Sequence, residues 1–303
     1  MTSLAACRYA VVSPVKDEEK YVERTIRSVL GQTIRPVRWI IVDDGSKDRT
    51  PEIIKQCVSG IDWIQCLRID RDGNRELGIT EIKAFTVGHK LLEDVEYDFI
   101  VKLDCDVELP PTYFEEMLRR FDEKAALGIA SGAFFEEHDG QWVFIRMPDY
   151  HASGATKMVR AKCFRDIGGF VQRKGWDTID EIRARALGWE TERIQTLTFR
   201  HLKREGSASG VVYSNLLEAE VDYVIGNSLA FVLLKAIYRM VSQRPFVVAG
   251  SIMLWGFVKA WITNVPRQVT KEQAIAYRSM LRRRVRRRIV ELFGFGGHPL
   301  EEI

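Results

Sequence analysis

Short apolar runs alternate with longer amphipathic stretches over the first hundred residues of the chain. The apolar runs predict strands, and the stretches with apolar residues at every third or fourth position predict helices. Strands that alternate with helices are typical of a parallel sheet with helices on both faces. The predicted strands are residues 9–13, 37–42, 63–69 and 99–103, and the predicted helices are residues 17–30, a segment with Thr50 as N-cap and Pro51 as its first residue, and residues 80–92.

The middle of the chain gives weaker signals. Residues 142–147 predict a strand between an acidic turn and the small residues 153–155. Further on, Ile182, Ala186 and Leu187 have helical spacing in a segment that ends at Gly188, and residues 191–197 predict another strand. We therefore expect an α/β domain over residues 1–212.

Beyond residue 215 the pattern changes to two apolar runs, residues 223–238 and 246–262, each interrupted by one lysine. Both runs are shorter than the roughly 20 residues that a helix needs to span a bilayer comfortably. Three interpretations stay open: a hairpin that dips into a membrane, a helical subdomain against the α/β domain, and two true membrane spans. In each case residues 213–303 form a separate helical region.

A basic amphipathic helix is predicted after these runs, because apolar residues recur at helical spacing while arginines fill the other faces. Residues 267–288 include nine Lys or Arg and one Glu, although the net charge of the whole chain is only +3. The positive charge is therefore local, as expected of a helix that binds an anionic membrane surface. The apolar positions are Tyr277, Leu281, Val285, Ile289 and Leu292.

The overall composition, 46% hydrophobic and 29% charged over 303 residues, is that of a globular protein. The five cysteines are scattered and show no Cys-x-x-Cys spacing, so neither a disulfide framework nor a thiolate zinc site is indicated. We expect a reducing, cytosolic environment and no signal peptide.

Polar residues follow three of the predicted strands, at Pro14 and Asp17, at Asp44, and at Asp104 and Asp106. In a parallel sheet these strand ends meet at the edge where ligands bind. The last two carboxylates point to the same side of an extended chain, so together they can hold a hard divalent cation that binds a diphosphate. A solvated turn is the alternative for this pair, but it does not explain three clusters at one edge. The sequence shows no glycine-rich phosphate loop, so we expect a cation to hold the phosphates.

Residues 12–19, 41–50 and 103–106 resemble the motifs of family 2 glycosyltransferases, which have the GT-A fold, a Rossmann-like α/β domain. The resemblance extends over about residues 8–205. It implies an inverting enzyme that uses a nucleoside diphosphate sugar with Mg²⁺ or Mn²⁺. We expect a UDP-sugar first, a GDP-sugar second, and a lipid-linked or polysaccharide acceptor.

The same resemblance assigns roles to individual residues. Asp44 would recognise the base, Asp104 would lie by the ribose and the sugar, and Asp106 would bind the cation. His201 stands where the family often has a histidine that completes the metal shell.

Two basic residues are further candidates for the nucleotide-sugar site. Lys83 could substitute for an Arg-Asn pair that often precedes the fourth strand in the family, and the chain also departs from the family at Val15, where an aromatic residue often stands. Arg204 could contact the diphosphate, or could be a solvated surface residue.

An inverting transfer needs a carboxylate that accepts the proton of the attacking hydroxyl. Asp177 lies eleven residues before Gly188, the spacing at which the family places an acidic residue at the start of a helix. Asp180 lies one turn further on the same helix face and competes for this role. For either residue alone, the alternative is stabilisation of the helix N-terminus.

Two other functions remain to be compared with this one. A polyprenyl-phosphate glycosyl synthase would use an acceptor that is already ionised, so Asp177 would matter less. A nucleic-acid-binding protein would use the arginine-rich tail, but apolar runs precede that tail and no nucleic-acid-binding motif is visible. We expect a protein on the cytoplasmic face of the membrane, without a nucleic-acid partner.

Overall fold

The computed structural model describes residues 7–69, 79–204, 211–242 and 246–293. The chain divides into two compact units, which we call the N-terminal unit (Met1–Gly210) and the C-terminal unit (Val211–Ile303). This division falls two residues before the boundary placed at residue 212 from the sequence.

The N-terminal unit is built on a mixed sheet. Its described strands are β1 (Tyr9–Val15), β2 (Arg38–Asp43), β3 (Ile64–Arg68), β4 (Phe99–Leu103), β5 (Val107–Glu108), β6 (Leu127–His138), β7 (Gln141–Phe144), β8 (Thr156–Arg160) and β9 (Glu190–His201). Their order is β3-β2-β1-β4-β8-β6-β9-β5, with β7 beside β6. Strands β1 to β4 are parallel, as predicted. The expectation of a mostly parallel sheet is wrong for the other half, where β6 and β9 are parallel but β8 is antiparallel to both β4 and β6. No helix lies between β6 and β8, and parallel neighbours need such a crossover.

Helices cover both faces of this sheet. They are α1 (Val22–Leu30), α2 (Thr50–Val58), α3 (Thr80–Lys90), α4 (Tyr113–Glu123), α5 (Ala161–Asp166) and α6 (Trp176–Ala186). Helix α1 begins five residues later than predicted, because Asp17 has a φ of 54° and belongs to a loop. Thr50 is the first residue of α2 rather than its N-cap, and its hydroxyl accepts a hydrogen bond from the backbone N of Glu18 at 2.8 Å. Both differences arise because the loops after β1 and β2 bind each other.

The apolar core lies on both sides of the sheet because successive residues of a strand point to opposite faces. Tyr9 and Val11 of β1 belong to a buried cluster that includes Phe114 of α4. Ala10 and Val12 belong to a second cluster with Phe85 of α3. Complete burial of a side chain of the size of valine or phenylalanine contributes roughly 1.5–3 kcal/mol of transfer free energy. The arrangement confirms the predicted layers of helix, sheet and helix.

Strand β6 was not predicted, because its small residues hide the period of two. One of them is required by packing. A Cβ on Gly132 would lie 2.5 Å from the backbone O of Leu197 and 2.8 Å from the hydroxyl of Tyr113. Only glycine therefore lets β6 approach β9 and α4 this closely. The strand predicted at residues 142–147 corresponds to β7.

The C-terminal unit is helical. Its helices are α7 (Val211–Val224), α8 (Leu229–Ser242), α9 (Val248–Ile262) and α10 (Lys271–Phe293). The apolar run at 223–238 is not one helix, because the chain turns at Gly226, whose φ is 77°. A Cβ at this position would lie 2.5 Å from the Cβ of Ala274. Within the described ranges, no helix combines the length and the apolar character that crossing a bilayer requires.

The lysine that interrupts the first apolar run is paired with acids on α7. The Nζ of Lys235 lies 2.9 Å from Asp222 Oδ2 and 2.6 Å from Glu218 Oε1, and Arg239 also pairs with Glu218. Because both cations have carboxylate partners, α7 and α8 can pack together at these positions. Lys235 is therefore accommodated within the helical unit as a member of ion pairs.

Candidate active site

The loops after β1 and β2 form one wall of a site at the carboxyl edge of the sheet. Pro14 pairs with Val42 in register, and the backbone N of Asp44 donates to the O of Val15 at 2.9 Å. Asp17 accepts a hydrogen bond from the backbone N of Lys47 at 2.7 Å. The structure therefore brings Pro14, Asp17 and Asp44 together, and Asp44 is almost fully buried.

Asp104 and Asp106 follow β4 and meet His201 at the end of β9. This meeting depends on β5, which pairs Val107 with His201 in antiparallel register. One ligand atom from each of the three side chains lies within 4.8 Å of the others. His201 Nε2 is 3.3 Å from Asp106 Oδ1. The three residues named from the sequence thus form one cluster.

This cluster fits a divalent cation. Asp106 Oδ1 is buried and makes no hydrogen bond of good geometry with a described residue, and such an atom is expected to have a partner. Burial would raise the pKa of Asp106, but the nearby imidazole of His201 lowers it overall. Burial would lower the pKa of His201, but Asp106 and Glu136 raise it to about 10. A cation could take the place of that proton between carboxylate and imidazole, since both are ligands of Mn²⁺ and related ions.

Glu136, which the sequence reasoning did not single out, supports His201 from β6. The two residues are in register on neighbouring strands, and Glu136 Oε1 lies 3.4 Å from His201 Nδ1. An acid behind a metal-binding histidine fixes the orientation of the ring. The signal in the sequence was a carboxylate directly after the apolar residues 133–135.

Two buried lysines were also missed. Lys102 on β4 and Lys157 on β8 stand opposite each other in antiparallel register, each 1% exposed or less. Like charges at such positions repel. The ring of Trp176 lies within about 5 Å of both ammonium groups, its centroid 5.3 Å from Lys102 Nζ and 5.1 Å from Lys157 Nζ. Both cations therefore gain a favourable contact with the aromatic face.

Each lysine neutralises one of the predicted carboxylates. Lys102 Nζ lies 2.5 Å from Asp104 Oδ1. Burial raises the pKa of Asp104 to about 7, and Lys102 opposes this rise. Lys157 Nζ lies 3.1 Å from both oxygens of Asp180. Burial likewise raises the pKa of Asp180, against the charge of Lys157.

Of the two candidate bases on α6, only Asp177 reaches solvent. Its side chain is 33% exposed, whereas that of Asp180 is 1% exposed and bonded to Lys157. A Cβ on Gly154 would lie 3.9 Å from the Cβ of Asp177, and the neighbouring Ala155 accepts a hydrogen bond from the backbone N of Asp104 at 2.8 Å. The segment 154–155 therefore links the candidate base to the cluster of Asp104, Asp106 and His201.

His151 and Glu181 hold Asp177 from the other side. His151 Nδ1 lies 3.1 Å from the carboxylate of Glu181, and its Nε2 lies 3.8 Å from Asp177 Oδ2. Burial lowers the pKa of His151, but Glu181 and then Asp177 raise it to about 9. His151 therefore connects the exposed carboxylate of Asp177 to the buried carboxylate of Glu181.

Lys83 on α3 and Arg204 just after β9 are both exposed. Other residues of the same segments contact the site. Glu81 accepts a hydrogen bond from Trp176 Nε1 at 3.0 Å. Lys203 forms an ion pair with Glu18 in the loop after β1. Glu81 and Lys203, which lie next to Lys83 and Arg204 in the sequence or close to them, therefore make these contacts.

The family model described as "Glycosyl transferase family 2" matches residues 10–176. The chain is 27% identical over 119 residues to "Uncharacterized glycosyltransferase YkcC" of Bacillus subtilis, covering 38% of this chain and 34% of that protein. It is 26% identical over 141 residues to "Undecaprenyl-phosphate 4-deoxy-4-formamido-L-arabinose transferase" of Pseudomonas aeruginosa, covering 44% and 37%. The matched regions thus span little more than a third of these relatives.

Two solved structures share the fold. S. aureus TarS 1-349 in complex with UDP-GlcNAc matches with a TM-score of 0.52 at 15% identity, over 89% of this chain and 79% of that one. Mannosyltransferase PcManGT from Pyrobaculum calidifontis, in complex with GDP-Man and Mn²⁺, matches with a TM-score of 0.53 at 12% identity, over 91% and 81%. The GT-A-like fold and a family match over more than half of the sequence agree, so the chain belongs to glycosyl transferase family 2.

Proposed function

We propose that the chain transfers a sugar, with inversion and with a bound Mg²⁺ or Mn²⁺, from a nucleoside diphosphate sugar to a lipid-linked or polysaccharide acceptor. The cluster of Asp104, Asp106 and His201 carries this proposal, since its ligand atoms lie within 4.8 Å of one another. The UDP-GlcNAc in TarS and the GDP-Man and Mn²⁺ in PcManGT support a donor of this class. A UDP-sugar is our first choice and a GDP-sugar our second.

The donor would lie along the edge of the sheet. Asp44 would recognise the base beside Pro14 and Asp17, and Asp104, held by Lys102, would bind the ribose or the sugar. Asp106 and His201 would hold the cation, whose charge stabilises the diphosphate that leaves. One carboxylate oxygen of Asp104 is already paired with Lys102. Asp104 is therefore better suited to accept hydrogen bonds from the donor than to be the main metal ligand.

The acceptor would lie between the diphosphate and Asp177. The acceptor oxygen forms a bond to the anomeric carbon on the face opposite the diphosphate, and the bond from that carbon to the phosphate oxygen breaks. Asp177 takes the proton of the acceptor hydroxyl. Lys157 Nζ donates a hydrogen bond to the backbone O of Asp177 at 2.7 Å. This bond and the contact of Asp177 with His151 hold the start of α6 in place.

A thermal-shift screen of the full chain tests the donor. We expect the largest stabilisation with UDP and Mn²⁺, because a ligand that binds only the folded state raises the melting temperature. The screen compares UDP, GDP, CDP and dTDP, each with Mn²⁺ or with EDTA. An equal shift with EDTA would contradict cation dependence, and no shift with any nucleotide would contradict the donor class.

A polyprenyl phosphate is the second candidate acceptor, and one relative's name supports it, since that protein is called an undecaprenyl-phosphate transferase. Such an acceptor is already ionised and needs no base. Asp177→Asn should therefore retain activity with a polyprenyl phosphate and lose it with a hydroxyl acceptor. Either acceptor would be met at the cytoplasmic face of the membrane, and we propose that the chain attaches there through its C-terminal unit.

A further inference from the structure

The C-terminal unit contains a groove of about 890 Å³ between α8 and α10. Its floor is apolar and includes Phe231 and Leu234 of α8 and Ile275, Leu281 and Val285 of α10. Leu234 and Ile275 are more than half exposed, at 54% and 55%. This volume is at the upper end of ligand pockets, so it has room for a hydrocarbon chain and far exceeds a lone inorganic anion.

A row of arginines lines the same groove. Arg278, Arg282 and Arg286 follow each other at intervals of four residues, so they lie along one face of α10. Like charges at this spacing destabilise a helix when nothing neutralises them. Among the described residues that line this groove, none is Asp or Glu. An anionic occupant would remove the repulsion.

The end of the groove offers a polar group as well. Asn227, which is 4% exposed, donates through Nδ2 to Asp222, but its Oδ1 has no hydrogen-bond partner among the described residues. A buried acceptor without a partner is unfavourable. A molecule with an anionic group beside a hydroxyl would neutralise the arginine row and donate a hydrogen bond to Asn227 Oδ1.

We propose that this groove binds one lipid molecule with a phosphate headgroup. The hydrocarbon chain lies on the apolar floor, the phosphate contacts the arginine row, and a headgroup hydroxyl donates to Asn227. Guanidinium groups match phosphate geometry through paired hydrogen bonds, which supports a defined headgroup position. The proposal concerns binding alone and holds whichever sugar donor the N-terminal unit uses.

Binding of a water-soluble short-chain lipid to the full chain tests the site. The probes are dioctanoyl phosphatidylglycerol below its critical micelle concentration, dioctanoyl phosphatidylcholine, and inorganic phosphate, each titrated by calorimetry. We expect saturable binding of one phosphatidylglycerol per chain, at least tenfold weaker binding of phosphatidylcholine, whose headgroup has no hydroxyl and carries a cation, and none of phosphate. Phosphate that binds as tightly as the lipid would overturn the proposal.

Matched variants separate the groove from overall charge. Replacing Arg278, Arg282 and Arg286 by Gln should weaken lipid binding at least tenfold. The control replaces Lys271, Arg283 and Arg284 by Gln, which removes the same amount of charge outside the groove. This control should change binding by less than about twofold. Equal losses in both variants would show unspecific attraction and overturn the site.

An apolar pair completes the design. Leu234→Asn, in the groove, should weaken binding, whereas Leu233→Asn, exposed on the same helix outside the groove, should not. Both positions are exposed, so both variants should keep the wild-type melting temperature. If Leu234→Asn instead dissociates a dimer in sedimentation and leaves lipid binding unchanged, the groove is an interface between copies and the proposal is wrong.

Discussion

The two units of the chain expose different kinds of surface. Among the described residues, the N-terminal unit exposes five large apolar side chains, whereas the C-terminal unit, less than half as long, exposes sixteen. The C-terminal unit also carries thirteen Lys or Arg against seven Asp or Glu, whereas the N-terminal unit has more acids than bases. Extended apolar surface together with positive charge is typical of proteins that bind anionic lipids. On our proposal, chemistry belongs to the N-terminal unit and membrane attachment to the C-terminal unit, so a variant in one should spare the function of the other.

Asp106→Asn should give the largest effect and the clearest separation. A bound cation contributes several kcal/mol to stabilising a leaving diphosphate, so we expect turnover to fall by about 10³-fold or more. The measurement is release of nucleoside diphosphate from the sugar donor at saturating Mn²⁺. Flotation of the same variant with vesicles should equal that of the wild type. A variant that keeps activity would contradict the assignment of Asp106 as metal ligand.

Asp177→Asn should lower kcat by roughly 10²- to 10⁴-fold with a hydroxyl acceptor and leave donor affinity unchanged. Steady-state kinetics with varied donor separates the two parameters. Asp180→Asn is the matched control one turn away. It removes a partner of the buried Lys157 and should instead destabilise the fold by about 3–5 kcal/mol, measured by urea denaturation. An inactive but stable Asp180→Asn beside an active Asp177→Asn would reverse the assignment.

How much the sequence could predict depends on how local the signal is. The parallel strands and Asp104 with Asp106 were recognised because an apolar run and the acids that follow it lie within a few residues. The family resemblance, rather than local pattern, pointed to His201 and Asp177. Lys102 was not singled out, although its partner Asp104 lies two residues further on, because its almost complete burial cannot be read from the sequence. Its role arises from pairing across strands, where β8 brings a second lysine opposite.

The C-terminal unit was harder to predict for a related reason. The apolar run at 223–238 seemed continuous, but Gly226 turns the chain where α10 packs closely. Hydropathy records only that residues are apolar. It does not distinguish a helix that packs on its neighbours from one that lies in a lipid surface. The choice between these interpretations depends on which individual side chains are exposed, and the sequence alone does not provide that.

The pH dependence of stability tests the support of Asp177. The folded pKa of His151, about 9, lies above its ordinary value of 6.5, because Glu181 and Asp177 outweigh burial and Lys157. The stability that this histidine contributes is therefore complete below pH 6.5 and is lost as the pH rises through 9. The shift corresponds to at most about 3 kcal/mol.

The measurement is the difference in unfolding free energy between wild type and His151→Gln, from urea denaturation at several pH values. We expect it to decrease from about pH 6.5 to about pH 9. A difference that is independent of pH would contradict a charged His151. Vesicle flotation should not change over this range, since the arginines of α10 stay protonated.

The smallest expected effect tests the surface contrast itself. Trp261 in the C-terminal unit is 66% exposed and Leu187 in the N-terminal unit is 55% exposed. If only the first enters a membrane interface, Trp261→Ser should lose the burial of one large side chain, about 1.5–3 kcal/mol, and weaken vesicle binding roughly 10- to 100-fold. Leu187→Ser should leave binding unchanged, because its side chain would stay in water. Flotation with phosphatidylglycerol vesicles measures both variants.

Salt separates this apolar contribution from the charge on α10. Each Lys or Arg near an anionic surface contributes about 1 kcal/mol, and that attraction is screened beyond roughly 3 Å at 1 M salt. The effect of Trp261→Ser should therefore persist at high salt, whereas that of Arg283→Gln should be seen only at low salt. If Leu187→Ser weakens binding as much as Trp261→Ser, the contrast between the two surfaces does not reflect attachment. If high salt alone releases the wild type completely, charge rather than apolar burial holds the chain on the vesicle.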